Sequence, residues 1–473
     1  MKRFTKVSIL FALFMPFISI GVIAQVKPIA LHPENPHYFI YKEKPEILIT
    51  SGEHYGAVLN LDFDYKKYLQ ELQSHDLNLT RLFTGAYAEP PGAFNIEKNT
   101  LAPAPGRYIC PWPRSSEPGY TNGGNKFDLS KWDDEYFKRL KDFVAEAEKR
   151  NIIVELALFC PFYEDSQWTL SPMNMVNNVN GIGNIPRNDV YTLDKNGPLL
   201  KIQEELVKKI VNELNGFSNI IYEICNEPYF GGVTMEWQHH IASLIEITER
   251  NLANRHLISQ NIANASAKIT NPHPAVSVFN FHYATPPVAV GQNYNLNKVI
   301  GDNETGFNGN ADSTYRKEGW EIIMAGGALY NNLDYSFAPG YENGTFQYGA
   351  KQPGGGSVAL RQQLKFLKEF MTGFNYLRMS PDSTLITGNT ADAKIYTMIE
   401  TGKQYAIYLH RAPKTALKIA LPAGTYSVEW LNPVTGEYQK KKSIRSKGQV
   451  TLPLPPHTED LALRLLKITS RKK

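Results

Sequence analysis

Two hydrophobic rhythms alternate along most of this chain. Short apolar runs read as buried strands. Between them lie longer stretches in which apolar residues return every third or fourth position, the period of a helix with one buried face. The runs predict strands over Ile47–Ser51, Asn78–Phe83, Ile152–Phe159, Ile220–Cys225, Leu257–Asn261, Val276–His282, Val299–Asn303 and Ala328–Leu333. The helical period covers Tyr65–Ser74, Asp133–Arg150, Gly197–Leu214, Trp237–Asn254, Arg316–Ala325 and Val358–Phe374. It is clearest in the second, where Tyr136, Phe137, Leu140, Phe143, Val144 and Ala147 share a face. Such alternation calls for a parallel sheet with helical crossovers, closed here as an α/β (β/α)₈ TIM barrel. A hairpin, His37–Tyr41 turning through Lys42–Pro45 into Glu46–Thr50, precedes it.

Beyond Arg378 the helical period disappears. Short alternating runs follow at Leu385–Thr387, Ala393–Met398, Gln404–Leu409, Ala416–Leu421, Thr425–Leu431, Gly448–Leu454 and Leu461–Leu466, separated by turn residues such as Gly402, Pro422-Ala423-Gly424 and Pro433-Val434-Thr435-Gly436. That pattern predicts a small antiparallel β-sandwich domain. The expected division is a signal at 1–24, a barrel with its hairpin over 25–378, and a sandwich over 379–470.

Composition narrows the function classes. Charged residues make up 20% of the chain and the net charge is +4, with no basic stripe interleaved with aromatics, so nucleic acid is not an expected partner. Lys2, Arg3 and Lys6 precede an apolar stretch from Val7 to Ile23, which reads as a secretory signal cut before Gln25. The mature chain is expected to be secreted or periplasmic, monomeric and free of membrane insertion. The three cysteines, Cys110, Cys160 and Cys225, cannot all pair within one chain and read as buried thiols, although Cys160 and Cys225 fall near strand ends and could be neighbours. No zinc spacing is present, adjacent His239 and His240 do not share a helical face, and neither metal nor cofactor is expected.

The chemistry concentrates at two strand ends. Tyr222-Glu223-Ile224-Cys225-Asn226-Glu227-Pro228 is an apolar strand stopped by a proline that cannot join a sheet ladder, which leaves Glu227 at the tip. Val299-Ile300-Gly301-Asp302-Asn303-Glu304-Thr305-Gly306 repeats the arrangement with Glu304. Barrels of this kind carry their active sites on the face where strands end. A pair of carboxyl groups there suits glycosidic cleavage, in which one protonates the departing oxygen and the other meets the cationic anomeric carbon. Glu223 lies four residues deeper than Glu227 and should face the barrel interior against Arg81; Asp302 is the fallback for Glu304.

These motifs resemble the clan A glycoside hydrolases, retaining (β/α)₈ enzymes that include the cellulase-like families, with the likeness covering roughly Ile40 to Phe374. The resemblance implies Glu227 as acid/base at the end of the fourth strand and Glu304 as nucleophile at the end of the seventh. It places Arg81 beneath the nucleophile, Asn226 on the sugar 2-hydroxyl, and His282 and Tyr283 at the end of strand six. In the clan one residue separates that last pair. Here they are adjacent, and strand alternation would send them to opposite faces unless the chain bends. Where the clan places a Trp on strand eight, this chain offers Tyr330 or Tyr335. Glu53 and His54 either contact sugar or cap the turn after strand one. The long loops Gly85–Phe127 and Pro161–Asp194 carry Trp112, Trp168, Tyr87 and Tyr163, either as stacking platforms for sugar rings or as loop packing. Trp430–Gly436 resembles a turn of the clan's accessory sandwich, more a buttress than a glycan-binding row. The implied function is hydrolysis of a β-linked polysaccharide or oligosaccharide, a β-glucan being one option. The alternative is a non-catalytic glycan-binding protein that keeps the fold.

Overall fold

The computed structural model describes residues 26–52, 55–387, 393–411, 416–439, 441–457 and 459–468; the expected signal, Glu53 and His54 lie outside the described residues. Eight parallel strands form the central sheet: β1 (Leu48–Ile49), β2 (Leu79–Phe83), β3 (Ile153–Ala157), β4 (Ile220–Glu223), β5 (Leu257–Asn264), β6 (Val276–His282), β7 (Val299–Glu304) and β8 (Leu329–Tyr330). Sequential strands pair from β2 through to β8, and β8 pairs with β1 in the register Leu329↔Leu48 and Tyr330↔Ile49. The ring is completed by Asn78, whose backbone N–H donates to the Ile49 carbonyl at 3.3 Å while its side-chain oxygen accepts from the Ile49 N–H at 2.9 Å.

The helices follow from their caps and faces. Asp64, Asp133, Thr234 and Ser357 each accept a first-turn backbone N–H, starting the helices Tyr65–Ser74, Asp134–Lys149, Met235–Glu249 and Val358–Thr372. The Thr234 cap starts its helix two residues before the expected Trp237. The helix expected from Arg316 begins instead at Asp312. Strand eight is shorter than expected, although backbone bonds to the β7 side continue past it: the Thr305 N–H donates to the Asn331 carbonyl at 3.2 Å and the Leu333 N–H to the Thr305 carbonyl at 2.9 Å. Asn331 Nδ2 adds a bond to the Asn303 carbonyl at 3.0 Å and Asn332 Nδ2 one to the Gly355 carbonyl at 2.7 Å. At the opposite end, Phe39–Tyr41 and Lys44–Glu46 form the expected hairpin, joined by Ala30–Leu31. It seals the barrel floor through Tyr41, whose hydroxyl lies 3.0 Å from that of Ser218 just before β4.

The C-terminal region is a six-stranded antiparallel sheet (Ser380–Pro381, Lys394–Glu400, Gln404–His410, Asp460–Lys467, Gly424–Leu431, Lys442–Ser446, in spatial order) faced by the pair Ala416–Ile419 and Val450–Pro453. Strand Gln404–His410 is buried throughout, and its alternation explains why. Tyr405, Ile407 and Leu409 fill the sandwich core, while Ala406 and Tyr408 point the other way and join the barrel core. Helix Asp312–Met324, which follows β7, receives that second face. Trp320 stacks on Tyr408 with ring centroids 4.9 Å apart, Arg316 donates to Asp460 at 2.9 and 3.0 Å, and Glu321 lies 2.5 Å from His410 Nε2. Trp320→Ala is therefore expected to destabilise by about 3–5 kcal/mol. Urea unfolding followed by barrel and sandwich probes together should show both transitions moving.

Candidate active site

Strands β2 to β7 deliver side chains to the same face. Arg81 on β2 is fully buried and is the hub. Its Nη2 donates to Glu223 Oε1 at 2.6 Å and to Asn226 Oδ1 at 2.9 Å, and its Nη1 to Glu304 Oε2 at 3.1 Å. Glu155 on β3 is 3.7 Å away and accepts from Ser259, Asn280 and Asn303 at 2.7, 2.7 and 3.0 Å. One guanidinium thus faces three buried carboxyl groups. Burial pushes Glu223 up to about 7, despite the opposing charge of Arg81.

Past Glu223 the chain leaves the sheet, held by the Asn226 N–H donating to the Phe159 carbonyl at 2.9 Å and the Glu227 N–H to Asn261 Oδ1 at 3.0 Å. Glu227 itself adopts φ +35°, a left-handed conformation that disfavours a side chain and marks a point held by its surroundings. Its Oε2 accepts from the Tyr163 hydroxyl at 2.6 Å, and its Oε1 from Tyr229 at 3.2 Å and from His282 Nδ1 at 3.1 Å. Glu304 ends β7. Its Oε1 accepts from the Tyr283 hydroxyl at 2.6 Å and lies 3.5 Å from His282 Nδ1, while its Oε2 accepts from Tyr55 as well as Arg81. Burial alone would raise the Glu304 pKa. The charge and hydrogen bond of His282, with Arg81 and Tyr283, outweigh it and hold the carboxyl well below the usual range. Burial opposes charge on His282 too, but the two glutamates push it up to about 10.

One oxygen each of Glu227 and Glu304 and one nitrogen of His282 lie within 4.8 Å of one another. The trio is compact enough for a metal ion, but Arg81 and a protonated His282 already supply the positive charge these carboxylates face. Above them is a pocket of about 550 Å³, lined among others by Glu89, Phe94, Asn99, Leu101, Phe307, Leu333 and Tyr335.

The structure brings together most of the residues singled out in the sequence. Arg81, Asn226, Glu227, His282, Tyr283 and Glu304 meet, Glu223 faces the interior against Arg81, and Tyr335 lines the pocket. The adjacent His282 and Tyr283 both reach the site because the chain does bend: Tyr283 has φ +54° and the β6–β7 register shifts after Phe281. Two expected contacts are corrected. Trp112 is 1% exposed and Trp168 5%, so neither offers a ring face to a sugar. Trp168 packs on Phe162 with centroids 4.9 Å apart and donates Nε1 to the Ile185 carbonyl at 2.9 Å. Tyr87 and Tyr330 are likewise buried; the Tyr330 hydroxyl is taken by the Tyr315 carbonyl at 2.6 Å. Tyr163 meets Glu227 by its hydroxyl, where sequence offered only its ring. Cys110, Cys160 and Cys225 are buried free thiols. Tyr55, Tyr229, Glu89 and Asn99 were missed. Tyr229 stands two residues past Glu227, and Glu89 is the lone acid in the Gly85–Gly92 run, which were the available signals.

Residues 107–331 match the family described as cellulase, glycosyl hydrolase family 5, a match that supports a glycoside hydrolase. The barrel with its C-terminal antiparallel sheets is also the fold of solved glycoside hydrolases. Among solved structures, one described as a glycoside hydrolase superposes with TM-score 0.65 at 13% identity, covering 93% of this chain and 97% of the other. A family 5 glycoside hydrolase from Bacteroides vulgatus gives TM-score 0.64 at 13% identity, covering 93% and 94%. A family 5 mannosidase from Rhizomucor miehei gives TM-score 0.50 at 12% identity, covering 74% and 99%. No curated relative matches the chain at significant sequence similarity. Among the described residues no helix is long and apolar enough to cross a membrane.

Proposed function

We propose that the protein cleaves a β-linked oligosaccharide or polysaccharide by double displacement, with Glu304 as nucleophile and Glu227 as acid/base. The observation that carries this reading is the separation of the two carboxylates, within 4.8 Å, which leaves room for a sugar carbon and its leaving oxygen but not for an intervening water. Glu304 attacks the anomeric carbon while Glu227 gives its proton to the departing glycosidic oxygen, forming a glycosyl ester. Water, deprotonated by Glu227, then releases the sugar with its original configuration and restores both groups. Asn226, its oxygen fixed by Arg81 and its amide nitrogen 3.0 Å from the Tyr163 hydroxyl, is the residue we assign to the sugar 2-hydroxyl. Tyr283 and Tyr55 hold Glu304 in place, and Tyr335 takes part in the pocket wall. The basic, apolar start of the chain supports export to a secreted or periplasmic location, and we assign 25–378 to the barrel and 379–470 to the sandwich.

Product-anomer analysis by NMR during early hydrolysis tests the reading: the β-anomer must appear first, and an initial α-anomer would sink it. The glycan-binding alternative is distinguished by Glu227→Gln and Glu304→Gln, which should lose turnover and keep binding. The pH profile supplies a further check. His282 is the main source of charge holding Glu304 down, so His282→Asn should raise the Glu304 pKa. The acidic limb of kcat/KM is then expected to move to higher pH, by about one unit or more. An unmoved limb would remove His282 from that role.

A further inference from the structure

The loops after β2 and β8 meet beside the pocket. An acid/base lies toward the leaving group, so the flank beyond Glu227, where Tyr229 bonds Asn264 at 2.5 Å and Phe230 is 43% exposed, faces the departing sugar or chain. The opposite flank holds the sugar that is attacked. There the loop after β2 is pinned at its ends by the Glu89 N–H donating to the Leu101 carbonyl at 2.8 Å and by Asn60 Nδ2 donating to the Thr100 carbonyl at 3.1 Å. Its middle crosses to the loop after β8. The Glu97 N–H donates to Gln352 Oε1 at 2.8 Å, the Gly349 N–H to Glu97 Oε1 at 3.3 Å, and the Lys98 ammonium sits 5.7 Å from the Tyr341 ring centre. Protein therefore spans the barrel mouth from β8 to β2.

Set into that wall is a third carboxyl group, which the double displacement does not use. Glu89 is 6% exposed and lines the pocket together with Asn99. It accepts from the Tyr87 hydroxyl at 2.9 Å and from Asn99 Nδ2 at 2.5 Å, two neutral donors. A carboxylate has about four acceptor sites, so roughly two stay open toward the pocket. Burying such a group without donors is costly. Two adjacent sugar hydroxyls, donating one bond to each oxygen, match what remains.

We propose that Glu89, oriented by Tyr87 and Asn99, binds a vicinal hydroxyl pair on the terminal sugar, and that the Glu97–Gln352 bridge limits the enzyme to removing that sugar from a chain end. This rests on the Glu227/Glu304 reading. Burial, which pushes Glu89 up to about 7, fits a group that gains donors when sugar arrives.

The test has two arms. Hexasaccharides of β-linked glucose, mannose and xylose, labelled with ¹⁸O at the reducing end, are given to the full chain. Released monosaccharide and a labelled pentasaccharide as first products support the proposal. Initial cleavage near mid-chain overturns it while leaving the catalytic pair intact, and no hydrolysis of the panel overturns both. In the second arm, 4-nitrophenyl β-glycosides of the accepted sugar, each lacking one hydroxyl, are compared on wild type, Glu89→Ala and Glu89→Gln. Loss of either of two neighbouring hydroxyls should cost wild type about 10- to 100-fold in kcat/KM and the Ala variant less than about threefold. Equal losses in wild type and variants would make Glu89 a loop clamp and overturn the assignment. Glu89→Gln keeps the side-chain shape should the Ala variant not fold.

Discussion

Glu304→Ala is expected to lower kcat by on the order of 10⁴- to 10⁶-fold while the protein stays folded. With Glu304 as the proposed nucleophile, the space vacated beside Arg81 and Tyr283 would face the sugar opposite its leaving group. Added azide should therefore restore turnover of an activated β-glycoside by attacking that face directly, and the product should be the α-glycosyl azide. Glu227→Ala should behave differently. The glycosyl ester still forms from an activated substrate, azide then attacks from the side once occupied by the leaving group, and the product is the β-glycosyl azide. NMR of the two products distinguishes the roles. The same azide anomer from both variants, or near-normal turnover by Glu304→Ala, would sink the assignment.

Arg81→Met is expected to cost about 3–5 kcal/mol in urea unfolding, because a long apolar side chain fills the volume but leaves buried carboxylates without a counter-charge. Glu223 is bound by Arg81 in two-point fashion, at 2.6 and 3.2 Å, so adding Glu223→Gln should recover part of the loss. Activity should not return with it, since Glu304 and Asn226 still lack the group that fixes them. If Arg81→Met left the unfolding midpoint unchanged, the buried charges would have to be balanced by protonation alone.

What sequence could reveal divides along a physical line. Tyr65–Ser74 and Val276–His282 appear where periodicity puts them, since one buried face or a buried run is a local property. Glu227 and Glu304 were legible because a proline and a glycine turn mark the strand ends. The Lys442–Ser446 strand was not legible, being an exposed edge strand whose pattern is mostly polar. Exposure of loop aromatics was equally hidden. Nothing near Trp112 or Trp168 says that the long loops fold onto their own aromatic core, where Arg114 lies 4.0 Å from the Phe127 ring centre and 4.4 Å from that of Tyr120. Tyr55 and Glu89 join the site through contacts between distant segments. Such contacts depend on where loops land, which no short window of residues encodes.

The helix that follows β7 turns its outer face to the sandwich. Shortening the gene after Met379 would strip the cover from Trp320 and leave Arg316 and Glu321 as orphan charges in a newly wetted groove. The C-terminal portion is thus no detachable appendage to be swapped between enzymes. An engineer grafting this catalytic barrel onto another host would have to carry both parts as one indivisible cassette.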